Sequence, residues 1–298
     1  MTRTAALLAA SMFAAGALAT PPGSDDASNY TTPDFQAGAD LETAGDPFGA
    51  WDIFKDFQGT GFVDPEIGDS TQMDGFGFGA DINTGAAQSF KIYATDSNYI
   101  DVKRTFNSPL AVGQTFSIDL ASYIISQGFK GLDVTTNGGF FNSLWNLNGS
   151  TTWDIDTKGL GTGDGTAFEF EEPDTYFHCE FTQTSESGGT WTVQRIDLFG
   201  AVTESASGTY GGVIDGFKVY CGGQPGGGET DVFFNNLEVV GEDAPQPCAA
   251  DFNGDGVLDN GDIEVVEEDV GLAAAGLAAA VDLEAVNDAA VGAGGGLG

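Results

Sequence analysis

A segment near the C-terminus, DFNGDGVLDNGD (251–262), carries oxygen-bearing residues at the spacing of a calcium-binding loop. Ca²⁺ takes six to eight oxygen ligands, and a loop of this kind supplies them from positions 1, 3, 5, 7, 9 and 12. Gly256 stands at position 6, where the chain turns sharply and a side chain would obstruct the turn. The segment therefore predicts an EF-hand-like site with these ligands: Asp251, Asn253, Asp255, the backbone carbonyl of Val257, Asp259 and Asp262.

The ligand set also predicts a role for the metal in folding. Carboxylates held within a few ångströms of one another repel when no cation is present. Binding of Ca²⁺ removes that repulsion, so calcium is the expected cofactor and should fold the tail that contains the loop.

Two pairs of acidic residues have the spacing of paired catalytic carboxylates. Glu169 and Glu171 alternate in TAFEFE, and Asp154 and Asp156 alternate in WDID. Residues two apart on a strand share a face at about 7 Å, which would suit the acid and base of a glycosidase. Among 45 acidic residues, however, such pairs are also expected on solvated strand faces. The second interpretation is favoured, and no catalytic residue is assigned.

Aromatic side chains near a turn provide candidates for sugar binding. Trp145 and Trp153 flank the turn sequence NLNGST. Exposed flat rings can stack on the apolar faces of sugars, whereas buried rings build the core of a sandwich. The position beside a turn makes exposure plausible for these two residues, with packing in the core as the competing interpretation.

The N-terminus is organised like a secretory signal peptide. Arg3 precedes an apolar run, AALLAASMFAAGA, that is too short to span a bilayer, and Ala17 and Ala19 provide small residues for cleavage before Thr20. Residues 1–19 are therefore a predicted signal peptide, and the mature protein is expected to be secreted, extracellular or at the cell surface. No later run of apolar residues is long enough to predict a membrane span.

Charge and cysteine content narrow the partners and the covalent chemistry. The formal net charge of −36, from 9 basic and 45 acidic residues, disfavours nucleic acid and anionic membrane surfaces as partners. In an oxidising compartment Cys179 and Cys221 could form a disulfide, and Cys248 could pair with either of them or remain a thiol.

Hydrophobic residues alternate along most of residues 29–240, which predicts strands separated by Gly-, Asn- and Ser-rich turns. TFSIDL, for example, places Phe116, Ile118 and Leu120 on one face. Many short strands over this length predict an all-β fold, a two-sheet antiparallel jelly-roll or concanavalin-like sandwich of residues 20–241. A linker (242–250) and the calcium-binding tail (251–298) follow.

Several phrases resemble a family of exported bacterial β-sandwich proteins, among them GDSTQMDGFGFGADINT, FNSPLAVGQTFSIDL and CEFTQTSESGGTWTV. The closing phrase, DVFFNNLEVV, is similar to the last strand of many carbohydrate-binding jelly rolls. These resemblances imply a sandwich fold and a cell-surface glycan as ligand.

The tail sequence PQPCAADFNGDGVLDNGDIEVVEEDV resembles one dockerin repeat. Dockerins ordinarily carry two such units and dock onto cohesin modules, so the resemblance implies a cohesin-like partner. The second unit is missing or degenerate around Asp282, Glu284, Asn287 and Asp288. This departure bears on docking and leaves the calcium loop as predicted.

Two functions are compatible with these features. The favoured one is a secreted non-catalytic module that binds glycan or joins a surface assembly, with a calcium-binding tail for docking or attachment. The alternative is a secreted polysaccharide-active glycoside hydrolase on the same scaffold, which would need a cleft lined by two carboxylates.

Overall fold

The computed structural model describes residues 20–41, 46–73, 79–122, 128–137, 139–146, 152–155, 166–169, 175–227 and 230–241. For residues 140–146, 152 and 166–169 it describes the backbone alone. The chain divides into two compact units, Met1–Pro245 and Gln246–Gly298. The predicted signal peptide, linker and tail lie outside the described residues, so these boundaries stay predictions.

Two antiparallel sheets form the described part of the chain, which confirms the predicted all-β fold. The eight-stranded sheet contains, in spatial order, β13 (Val202–Gly211), β12 (Gly188–Asp197), β11 (Thr175–Ser185), β6 (Thr115–Ala121), β15 (Thr230–Val240), β4 (Ser89–Ala94) and β3 (Val63–Gly68), with β1 (Gly23–Asp25) also paired to β15. The seven-stranded sheet contains β10 (Thr166–Glu169), β9 (Thr152–Ile155), β8 (Gly139–Asn146), β7 (Phe129–Thr136), β14 (Ile214–Gly222), β5 (Tyr99–Thr105) and β2 (Asp52–Asp56). Two short 3₁₀ helices, Ala27–Asn29 and Ser70–Gln72, each begin after an aspartate whose side chain accepts a backbone N–H.

Aromatic and β-branched side chains on the inner faces hold the two sheets together. Alternation within each strand sends every second residue inward, and Phe116, Ile118 and Leu120 of β6 belong to this core. Between the sheets, the ring of Phe116 stacks on that of Phe217 from β14, with centroids 5.1 Å apart. Trp191 is also buried, as its alternation with Val193 predicts.

An ion pair between Arg104 and Asp25 is buried in this core. The guanidinium of Arg104, on β5, donates to Asp25 Oδ2 at 2.5 Å and to the Gly49 carbonyl at 2.6 Å. It also lies over the rings of Phe48 and Trp51, at 5.1 Å and 4.8 Å from their centroids. The ion pair therefore fixes the short first strand, which belongs to the eight-stranded sheet, against the opposite sheet.

Part of the outer face of the eight-stranded sheet is covered by the segment that follows β3. Met73 and Ile82 from this segment pack against Phe233 in a second apolar cluster. The side-chain amide of Asn235, on β15, holds the same segment by donating hydrogen bonds to the carbonyls of Ile82 and Gln88, at 2.8 Å and 3.1 Å.

Of the cysteine pairings that the sequence left open, a disulfide between Cys179 and Cys221 is not formed in this structure. Cys179 lies on β11 and Cys221 on β14, so the two residues belong to different sheets. Packed sheets are about 10 Å apart, which exceeds the Cα separation that a disulfide tolerates. Cys248 lies outside the described residues. Within the described ranges, no helix has the length and apolar character needed to cross a membrane.

Candidate functional site

The predicted calcium ligands lie outside the described residues, so the positions of Asp251, Asn253, Asp255, Val257, Asp259 and Asp262 are not given by the structure. Within the part of the chain that is described, no group of three or more His, Cys, Asp or Glu side chains could hold a metal ion. The calcium site therefore stays a prediction.

The two predicted carboxylate pairs are only partly described. Asp154 is half-buried on β9, and Glu169 is described by its backbone on β10. Asp156 and Glu171 lie outside the described residues. The hydrolase alternative accordingly stays a prediction.

Of the two predicted sugar-binding tryptophans, Trp153 lies in the core rather than on the surface. Its side chain is fully buried and its ring packs against Phe177 with centroids 5.3 Å apart. The position beside a turn was misleading, because Trp153 belongs to β9 and faces the opposite sheet. Trp145 pairs through its backbone with Gly131 and Asp154, and its side chain lies outside the described part of the structure.

The outer face of the seven-stranded sheet, which we call the binding face, brings together side chains from four strands that are distant in sequence. Backbone pairing places these side chains in rows that cross the strands. One row contains Phe54, Asp101 and Tyr220, and the next contains Asp52, Lys103, Lys218 and Asp133.

Four aromatic rings on this face, Phe54, Tyr99, Phe129 and Tyr220, form a continuous group that we call the aromatic platform. Ring centroids are 6.2 Å apart between Phe54 and Tyr99, and 5.8 Å apart between Tyr99 and Phe129. Phe129 and Tyr220 follow at 6.3 Å. The platform crosses the neighbouring strands β2, β5, β14 and β7, and three strand spacings of about 4.8 Å give it a length of about 14 Å.

A glycine in β14 makes the centre of the platform possible. Gly222 lies between Tyr99 and Phe129 in the strand register. A Cβ atom at this position would come within 2.3 Å of the Phe129 ring, closer than real carbon contacts allow. Because glycine has no side chain, the rings of Tyr99 and Phe129 can stack over β14 at an interplanar angle of 23°.

The rings differ in how much surface they offer to a ligand. Phe54 is 54% exposed, while Tyr99, Phe129 and Tyr220 are half-buried. Burial raises the pKa of the hydroxyls of Tyr99 and Tyr220, so both stay protonated and can donate a hydrogen bond at any physiological pH.

Carboxylates and lysines lie among the rings. The hydroxyl of Tyr99 hydrogen-bonds to Asp101, and Lys218 Nζ lies 2.9 Å from Asp133 Oδ2 and 4.9 Å from the centroid of Tyr220. Burial raises the pKa of Asp133 to about 6 and raises that of Asp101 as well, against the lowering influence of Lys218 on both. Lys103 Nζ lies 2.8 Å from Asp52 Oδ2.

The combination of aromatic rings and carboxylates on this face can bind a ligand that has flat apolar faces and polar edges. The rings offer surface for stacking, and the carboxylate oxygens accept hydrogen bonds from hydroxyl groups. The carboxylates differ in how far a ligand can reach them, since Asp133 is only 3% exposed and paired with Lys218 whereas Asp101 is half-buried.

Sequence reasoning identified three strands of this face, β5, β7 and β14, but neither β2 nor the site. Alternation in YIDVKRTF and IDGFKVYC places Tyr99 with Asp101, and Lys218 with Tyr220, on one face of each strand. Nothing local in the sequence indicates that β14 inserts between β5 and β7. An aromatic residue two positions from a charged one, repeated in several strands, is the signal that could have found the face.

The only histidine belongs to the other sheet. His178 Nδ1 lies 2.7 Å from Asp119 Oδ1, and Asn236 donates to the second oxygen of that carboxylate at 2.7 Å. The hydrogen bond with Asp119 raises the pKa of His178. These contacts join the adjacent strands β11, β6 and β15.

Comparisons with known proteins give distant structural likenesses. No family model and no curated protein matches the chain. The CBM2 module of the evolved Dit protein of Lactobacillus casei BL23 phage J-1 is similar at 12% identity and a TM-score of 0.40, over 75% of this chain and 99% of that one. Lectin II from Ulex europaeus is similar at 10% identity and a TM-score of 0.34, over 63% and 97%.

A putative beta-glucanase from Mycobacterium abscessus is similar at 11% identity and a TM-score of 0.34, over 54% of this chain and 78% of that one. Because these TM-scores lie below 0.5, they assign neither a family nor a ligand to this chain.

Proposed function

We propose that this chain is a secreted, non-catalytic carbohydrate-binding protein whose ligand lies on the binding face. The aromatic platform carries this proposal. Sugars present apolar C–H faces and polar hydroxyl edges, and a row of rings interspersed with carboxylates complements both. With a length of about 14 Å, the platform is better matched to an oligosaccharide chain than to a single sugar ring.

The location and the tail complete the proposal. The signal-like residues 1–19 support secretion, and the loop 251–262 supports a calcium-bound tail. Similarity of that tail to a dockerin repeat supports attachment to a cohesin-like module or a surface assembly. The two antiparallel sheets support a jelly-roll or concanavalin-like class for the sandwich.

The proposal is tested by retention of the protein in native gels that contain soluble polysaccharides. Tyr99→Ala and Phe129→Ala each remove one ring from the centre of the aromatic platform. Loss of a central aromatic contact is expected to weaken retention by about tenfold. Thermal unfolding of each variant verifies that the sandwich still folds.

Phe199→Ala is the matched control. Phe199 is 93% exposed in the turn between β12 and β13, at the edge of the other sheet. Its removal should leave retention unchanged. Equal retention of the wild type, Tyr99→Ala and Phe129→Ala on every polysaccharide that binds would exclude the binding face as the site.

A further inference from the structure

The charged groups of the binding face indicate whether its ligand is charged or uncharged. The strands β2, β5, β14 and β7 carry four aspartates and two lysines on this face: Asp52, Asp56, Asp101, Asp133, Lys103 and Lys218. Each lysine is already in an ion pair, Lys103 with Asp52 at 2.8 Å and Lys218 with Asp133 at 2.9 Å. The carboxylates of Asp56 and Asp101 are therefore in excess over the cations of this face.

A ligand carboxylate or sulfate would meet an unfavourable surface here. Recognition of an anion needs a cation or a set of N–H donors, and both lysines would first have to leave their carboxylate partners. The formal net charge of −36 adds a repulsive field around the whole chain.

Asp101 occupies the centre of the face. It lies directly between Phe54 and Tyr220 in the strand register. Tyr99, two residues earlier on the same strand, donates its hydroxyl to this carboxylate. An ionised carboxylate has about four acceptor positions and no donor, so after the bond from Tyr99 it can accept hydrogen bonds from ligand hydroxyls. Asp101 is half-buried, which leaves it within reach of a ligand on the rings.

Asp133 is not available to a ligand in the same way. Its side chain is 4% exposed and one of its carboxylate oxygens lies 2.9 Å from Lys218 Nζ. Asp101 rather than Asp133 is therefore the carboxylate at the centre of the face that a ligand can reach.

We propose that the binding face selects uncharged polysaccharides, with Asp101 as the residue that accepts hydrogen bonds from their hydroxyl groups, and that it excludes polyanionic ones. This inference rests on the proposed function and adds the ligand class and a specificity-determining residue to it.

Matched pairs of soluble polysaccharides test the inference in native affinity gels with the full chain. The probes are a β-glucan, a xylan, a mannan and a galactan, each used unmodified and as its carboxymethylated derivative. We expect retention by at least one unmodified polymer and at least about tenfold weaker retention by its carboxymethylated form. Added salt should reduce this difference, because it screens the repulsion.

The variant Asp101→Asn keeps the shape of the side chain and removes its charge. It should weaken retention by the unmodified polymer by about tenfold, since hydrogen bonds to charged groups are the stronger ones. It should also reduce the ratio between the unmodified and carboxymethylated forms. Glu238→Gln makes the same charge change at an exposed position on β15 of the other sheet and should alter neither quantity.

The outcomes separate the two proposals. Equal or stronger retention by a carboxymethylated polymer would overturn the selection of uncharged ligands and leave carbohydrate binding intact. A normal affinity and ratio in Asp101→Asn would overturn the role of this residue. If none of the eight polymers retains the wild-type chain, carbohydrate binding itself is refuted, and the inference with it.

Discussion

At the scale of single residues, Asp133 shows how the sheet sets the chemistry of a side chain. The carboxylate lies on the outer face, yet its neighbours bury it almost completely. Lys218 supplies the opposite charge on the neighbouring strand. The desolvation cost nevertheless exceeds that attraction, because the pKa of Asp133 is raised from 3.8 to about 6.

This raised pKa predicts a pH-dependent stability. Between about pH 4 and pH 6 the folded chain keeps a proton on Asp133 that the unfolded chain has released, so the free energy of unfolding falls as the pH rises through this window. A rise of the pKa from 3.8 to about 6 corresponds to about 3 kcal/mol. The stability of the wild type relative to Asp133→Asn should therefore drop by about that amount between pH 3.5 and pH 7, measured by urea unfolding.

Glu238→Gln is the control for a simple change of formal charge, because Glu238 is exposed. A difference between the wild type and Asp133→Asn that does not change with pH would contradict the assignment of a destabilised charge at this position.

At the scale of elements, β5 contributes alternate residues to the core and to the binding face. Arg104 points inward, where its side chain is fully buried beside Asp25. Lys103, the preceding residue, points outward to Asp52, with side chains 40% and 63% exposed. Two ion pairs on adjacent residues therefore experience very different solvation.

This contrast predicts unequal costs for similar substitutions. Arg104→Met leaves the Asp25 carboxylate buried without its cation, and it should lower the free energy of unfolding by about 3–5 kcal/mol. Lys103→Met breaks an exposed pair and should cost less than about 1 kcal/mol. Urea unfolding of both variants provides the comparison. Similar losses in the two variants would contradict the structural role of the buried pair.

The strands show what could be predicted from the sequence. Alternation in TFSIDL and FKIYA predicts β6 and β4 and the residues that these strands contribute to the core, because the two-residue period is a local property. DVFFNNLEVV is correctly predicted as a strand, β15, but its register shift between Asn235 and Glu238 interrupts the alternation of faces. The order of strands depends on contacts between distant segments. For that reason the sequence did not predict the aromatic platform, and it left Trp153 as a sugar-binding candidate although this residue belongs to the core.

At the scale of the whole molecule, the large excess of acidic residues has two consequences. It repels anionic polymers, as the inferred selection at the binding face requires, and it raises the local concentration of divalent cations. Calcium outside a cell is present at millimolar concentration, and sites in extracellular modules with dissociation constants of about 10⁻⁴ to 10⁻³ M operate in that range. A tail that folds on binding calcium would therefore be folded outside the cell, where the calcium concentration saturates such a site.

The calcium loop gives the last prediction. Asp251→Ala combined with Asp255→Ala removes two side-chain ligands from positions 1 and 5 of the loop, and calcium binding measured by titration calorimetry should be lost. Asp282→Ala combined with Asp288→Ala makes the same change of charge in the degenerate second segment and should preserve binding. Because the two double variants have equal net charge, a difference between them reports on ligand geometry rather than on the overall field. Equal loss in both would show that calcium is held by the diffuse acidic charge, and the site of residues 251–262 would be refuted.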